Sequence, residues 1–105
     1  MGPIATIMSG RTQPGKREEL LRLFQEHLAP RAESNARQTT VAWLADREDD
    51  DAFHIFEIYS DPAAMEANSK ADWFWAYVEK AAPLLNGQPE MRTAVPRWVK
   101  GAQIG

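Results

Sequence analysis

Ala52-Phe53-His54-Ile55-Phe56-Glu57-Ile58-Tyr59-Ser60-Asp61-Pro62 is the stretch on which the fold turns. Its first eight residues are dense in β-branched and aromatic side chains, which predicts a strand over Ala52 to Tyr59. Alternation sends Phe53, Ile55, Glu57 and Tyr59 to one face and His54, Phe56 and Ile58 to the other. Large apolar groups therefore stand on both faces. One layer of helices dries only one of them, so the second needs another cover. The stretch closes on a helix start. Ser60 or Asp61 supplies the cap, and Pro62 takes the first helical position, where a missing amide proton is harmless.

Upstream, Thr39 to Ala45 reads as a strand that pairs with this one as a hairpin. Between them, Asp46-Arg47-Glu48-Asp49-Asp50-Asp51 is expected to be a solvated tip. Its carboxylates lack the spacing and the glycine of a calcium-binding loop. Before that, Leu20, Leu21, Leu23, Phe24, Leu28 and Ala32 recur at helical period from Lys16 to about Ser34. Pro30 should kink or break this helix, because it removes one amide and crowds the preceding turn. Asn35 is the expected left-handed cap. Pro3 to Ser9 reads as a first strand, followed by a turn over Arg11 to Gly15.

Downstream, one helix is predicted over Pro62 to Ser69. A second runs from Asp72 to Leu85, carries Trp73, Tyr77, Val78 and Ala81 at helical spacing, and is ended by Asn86-Gly87. Glu90 to Val99 reads as the last strand, with Pro96 requiring an edge position or a bulge. The order strand, helix, hairpin, helix, strand predicts an α+β, ferredoxin-like βαββαβ layout. That is a four-stranded antiparallel sheet with its helices on one face. The exposed apolar face then calls for a twin sheet across a two-fold axis, so a homodimer is expected.

At 105 residues the chain is expected to be one domain, with about 101–105 as a flexible tail. A net charge of −3 offers no basic surface for nucleic acid or anionic membranes. The absence of cysteine excludes disulfides, thiolate metal sites and cysteine nucleophiles. No apolar run is long enough to span a bilayer, and Met1-Gly2-Pro3-Ile4 lacks a signal-peptide pattern, so a cytoplasmic location is expected. Two histidines far apart, with no third ligand in a recognisable spacing, do not make a metal site. Serine-nucleophile, P-loop and dinucleotide signatures are missing.

Three runs carry a resemblance: Phe56-Glu57-Ile58-Tyr59-Ser60-Asp61, Ala63-Ala64-Met65-Glu66-Ala67-Asn68 and Trp73-Phe74-Trp75-Ala76-Tyr77. The sequence resembles the antibiotic biosynthesis monooxygenase family over nearly its whole length. The resemblance implies a dimeric α+β barrel and cofactor-independent oxygenation of a small aromatic substrate by dioxygen. In such chemistry a phenol, quinol or anthrone is deprotonated in an apolar cleft and its anion reacts directly with oxygen. The protein desolvates the substrate, orients it, takes a proton and hydrogen-bonds the developing oxyanion. The chain departs from its quinol-oxidising relatives, which carry histidines where it has Asn68 and Trp73. It departs from anthrone-type relatives at Ile55, Met65 and Glu79, keeping an aromatic at Tyr59. The haem-degrading branch's ligating and pocket residues fall on Met8, Asn68 and Val78, and none is kept.

The candidate catalytic residues are His27, Glu57 and Asn68, and the candidate substrate-binding residues are Met8, Tyr59, Trp73 and Tyr77. Tyr59 positions a substrate oxygen or is a core tyrosine with its hydroxyl at the rim. Asn68 holds a substrate hydroxyl or carbonyl, or ends its helix as a backbone-bonded amide. Trp73 and Tyr77, four apart, share a helical face that suits a flat ligand or packs as core. His27 is a proton acceptor if it reaches the cleft, and otherwise a partly exposed helix residue. Glu57 is a buried base or the partner of Arg92 or Arg97. His54 belongs to the dimer face, as a hydrogen-bonded interface residue rather than a base. A non-catalytic binding or stress-response dimer, or an isomerase or cyclase on the same scaffold, is the alternative to an oxygenase.

Overall fold

The computed structural model describes residues 2–101. The expected tail over 101–105 thus lies, apart from Gly101, outside the described residues. The elements are β1 (Ile4–Arg11), α1 (Arg17–His27), α2 (Ala29–Ser34), β2 (Gln38–Ala45), β3 (Ala52–Tyr59), α3 (Pro62–Lys70), α4 (Asp72–Ala81), a 3₁₀ turn (Ala82–Leu84) and β4 (Glu90–Ala94). The four strands form one antiparallel sheet in the order β2-β3-β1-β4, with the helices on one face. β1 and β3, the two central strands, pair from Ile4 opposite Tyr59 to Arg11 opposite Ala52.

Pro30 divides the first helical segment as expected. α1 ends with the Leu28 amide bonded to Phe24, and Leu28 in turn accepts from Ala32 as α2 begins. Asn35 does not adopt the left-handed conformation. It is extended (φ −100°), and its side chain instead accepts the Arg37 amide in a local turn. Asp61 caps α3 by accepting the Ala64 amide at 2.9 Å, and Pro62 takes the first helical position. The next helix stops at Ala81, short of the predicted Leu85, because Pro83 cannot donate and the chain tightens into the 3₁₀ turn. β4 is an edge strand but ends at Ala94, two residues before Pro96, rather than at Val99.

The sheet face toward the helices holds the core. Phe53 and Ile55 of β3 pack against Leu20 and Phe24 of α1 and Tyr77 and Ala81 of α4. Trp43 of β2 stacks on Phe53 with ring centroids 5.7 Å apart. The opposite face carries Ile7, Leu44, His54 and Phe56, with Ile7 and Leu44 43% and 48% exposed, so the second apolar face is real. His54 lies there as expected, bonded to Ser9 Oγ and Asp46 Oδ2, each at 2.8 Å. The acidic hairpin connector is not simply a solvated tip. Arg17 donates to the carbonyls of Asp46 and Asp49 and of Ala52 just beyond, Arg11 pairs with Asp49, and the Gly15 amide donates to Asp51, so three of its residues are tied to the body. Among the described residues no cluster of acids and histidines is arranged to hold a metal ion.

Candidate functional site

The helices do not close down on the sheet along its whole length. A cleft remains beneath α1, α2 and α4, in two lobes of about 200 and 400 Å³. Both lobes touch Met8, Phe24, Leu28, Glu57, Phe74 and Met91, so they adjoin across these side chains. Ligand cavities generally exceed about 300 Å³, a size the larger lobe passes alone and the smaller one, beside Tyr59 and Asn68, does not reach. The walls are mostly apolar, and polar groups of the sheet gather on one side, at the ends of β1, β2 and β3.

Glu57 is the centre of that polar side. Strand alternation points it into the cleft between Ile55 and Tyr59. Thr6, its register partner on β1, donates to Oε1 at 2.7 Å. Gln38 donates to Oε2 at 2.8 Å, and the Tyr59 hydroxyl donates to the same oxygen at 3.3 Å. The Tyr59 hydroxyl accepts in turn from Asn68 of α3 and from Gln38, both at 3.3 Å. Burial and the neighbouring Glu57 carboxylate push Tyr59 up to about 12 from the ordinary 10.0, so near neutral pH it is a neutral donor. The result is a carboxylate fixed by three donors, facing an apolar space. Such an arrangement can accept a proton or a hydrogen bond from a ligand hydroxyl without first reorganising.

Of the predicted residues, Glu57, Tyr59 and Asn68 meet in this network, and Met8 and Trp73 line the same lobe. Tyr77 is buried at the neighbouring lobe, where desolvation pushes it up to about 12. So Trp73 and Tyr77 share a helix but not a lobe. His27 touches neither lobe. The stripe that lines the cleft is Leu20 and Phe24 of α1 and Leu28 at its C-terminal cap, and His27 stands roughly 100° round the axis from Leu28. Among the described residues Glu57 has no arginine partner, which corrects that expectation. Arg92 opposes Ile7 on the other face of the sheet and pairs with Glu90. Two participants escaped the sequence reading. Thr6 follows once the β1–β3 register is known. Gln38 could not be found by alternation, because a bulge between Gln38 and Thr40 turns it onto the face of Tyr59.

A family model described as antibiotic biosynthesis monooxygenase matches residues 3–80. The chain belongs to the antibiotic biosynthesis monooxygenase family. Solved structures agree in fold. A candidate monooxygenase of this family from Nitrosomonas europaea superposes with a TM-score of 0.86 at 13% identity, covering 96% of this chain and 97% of its own. Another from Caulobacter crescentus gives 0.84 at 18% identity, covering 90% of each chain. A third from Chloroflexus aurantiacus gives 0.79 at 24% identity, over 99% of this chain and all of that one. An uncharacterized protein of Synechocystis is 27% identical over 90 residues, which are 86% of this chain and 60% of that protein. This family member therefore spans about three-fifths of that relative's length. No helix among its described residues is long and apolar enough to cross a membrane. Among those residues no histidine lines its cleft.

Proposed function

We propose that the protein is a cofactor-independent monooxygenase that oxidises an anthrone, quinol or polycyclic phenol with dioxygen, working as a homodimer. One observation carries the reading: the only carboxylate on the cleft wall among the described residues, Glu57, is held by Thr6, Gln38 and Tyr59 at the edge of an otherwise apolar space. For an anthrone, the reacting ring methylene gives a proton to Glu57. The resulting anion passes electrons to dioxygen, and a carbon–oxygen bond forms to give a hydroperoxide as the proton returns. The oxygen–oxygen bond then breaks. The second methylene hydrogen leaves with one oxygen, so the carbon ends as a carbonyl and both hydrogens depart as water. Asn68, whose amide stands beside the Tyr59 hydroxyl, supplies a donor for the oxyanion that grows during deprotonation. The apolar walls exclude water from the anion. The homodimer follows from the apolar outer face, where Ile7, Leu44 and Phe56 meet a second copy of themselves.

The test is an oxygen electrode with dithranol and a panel of quinols, chelator present and no cofactor added. The wild type should consume oxygen above the uncatalysed rate, and Glu57→Gln should lose about a hundredfold, the usual worth of a positioned base. No uptake with any compound, or an undiminished Glu57→Gln, overturns the proposal. The cleft's lack of a histidine favours one second reading, a non-catalytic binder of the same ligands. That protein would be thermally stabilised by an anthrone without turning it over.

A further inference from the structure

Among the described residues, Arg31 is the one arginine on the wall of the cleft. Arg11, Arg37 and Arg92 pair with carboxylates, and Arg17 is spent on three loop carbonyls. Among the described residues, the Arg31 guanidinium has neither an ion pair nor a hydrogen bond. It lies instead over the Trp73 ring, 5.2 Å from the centroid, at the wall of the smaller lobe. Its position is a consequence of Pro30: the helix breaks at Leu28, and the new helix α2 carries Arg31 in its first turn beside the cleft. Among the described residues it is the only cation on the wall of either lobe, as Glu57 is the only anion. The cleft is thus polarised, with a carboxylate on the sheet side and a guanidinium on the helix side.

From this we infer that the substrate is an aromatic hydroxy acid, bound with its carboxylate toward Arg31 and its hydroxyl or acidic carbon toward Glu57. This rests on the cleft being the site of an aromatic ligand, as proposed above. Each charge enforces the same orientation. Glu57 repels a carboxylate and accepts from a neutral hydroxyl, whereas Arg31 offers a planar pair of donors matched to a carboxylate. Stacking on Trp73 holds the guanidinium in place before the ligand arrives, so less side-chain freedom is lost on binding. A guanidinium that served only to pack on Trp73 would be indifferent to the ligand's charge.

The test uses two redox-stable probes of one shape, hydroxynaphthoic acid and naphthol, titrated calorimetrically into the full chain. The wild type should bind the acid about fivefold more tightly at low salt, the worth of one partly exposed charge pair, and added salt should narrow that gap. Arg31→Gln should bring the two probes within twofold of each other, chiefly by weakening the acid, and Arg31→Lys should restore part of the preference. Equal binding of both probes by the wild type, or an Arg31→Gln protein that loses both equally, overturns this inference and leaves the cleft reading standing. Binding of neither probe overturns both.

Discussion

Raising the pH from 9 to 12 titrates the cleft through its tyrosines. The chain has two, Tyr59 and Tyr77, one at each lobe. Both are pushed from 10.0 up to about 12, chiefly by burial, and Tyr59 also by Glu57. Unfolded, each would ionise near 10. The folded state therefore holds these protons more tightly, and the stability this confers is complete below pH 10 and lost as the pH climbs toward 12. One pKa unit corresponds to about 1.36 kcal/mol, so each tyrosine contributes roughly 2–3 kcal/mol, and the pair on the order of 5. That rivals the whole stability of a small domain, about 5–15 kcal/mol. Tyrosinate absorbance and far-ultraviolet circular dichroism, followed together, should therefore change in a single step above pH 10. Tyr77→Phe leaves Tyr59 as the sole reporter. On that background Glu57→Gln should bring ionisation closer to 10, whereas the same change on Tyr59→Phe should leave Tyr77 where it was. A tyrosine that ionises near pH 10 with the dichroism intact would refute the burial and the Glu57 contact alike.

Three further outcomes follow from single contacts. Thr6→Val removes the 2.7 Å donor to Glu57 at a site 5% exposed and should lower urea-measured stability by about 1–2 kcal/mol, so a midpoint equal to wild type would contradict the network. Asp61→Ala deletes the cap of α3 and should cost about 1 kcal/mol by the same assay, nearly all of it from the Ala64 amide, because the Arg37 pair is exposed. Phe56→Glu places a charge on the apolar outer face and should convert a dimer into a monomer in sedimentation, with the helix-side core untouched.

Much of this fold is legible because its signals are local and agree with one another. Ala52–Tyr59 is both β-rich and alternating, and the structure gives that strand the same two ends. Pro30 and the Asp61-Pro62 pair mark a break and a start that depend only on backbone chemistry. Two prolines cut their elements shorter than the surrounding pattern predicts. Pro83 ends α4 before Asn86-Gly87 is reached, and Pro96 lies beyond the last strand rather than inside it. The site was legible where it follows parity. Glu57 and Tyr59 reach the cleft because they share a face with Ile55. Its other half is tertiary. Gln38 depends on a bulge that reverses its side, Thr6 on the register between β1 and β3, and Arg31 on where the broken helix resumes. His27 matched the chemistry of a base but not the direction of its helix, which presents leucine and phenylalanine to the sheet.

The oxygenation itself is tested most directly by the isotope content of the product. Dithranol should be turned over under isotopically heavy dioxygen by chelator-treated protein, and the quinone examined by mass spectrometry. One heavy oxygen atom per product molecule, formed faster than in buffer and at the buffer rate with Glu57→Gln, is the predicted result. A product whose new oxygen comes from water, or one formed no faster with the protein than without it, would contradict a cleft that hands an anion to dioxygen.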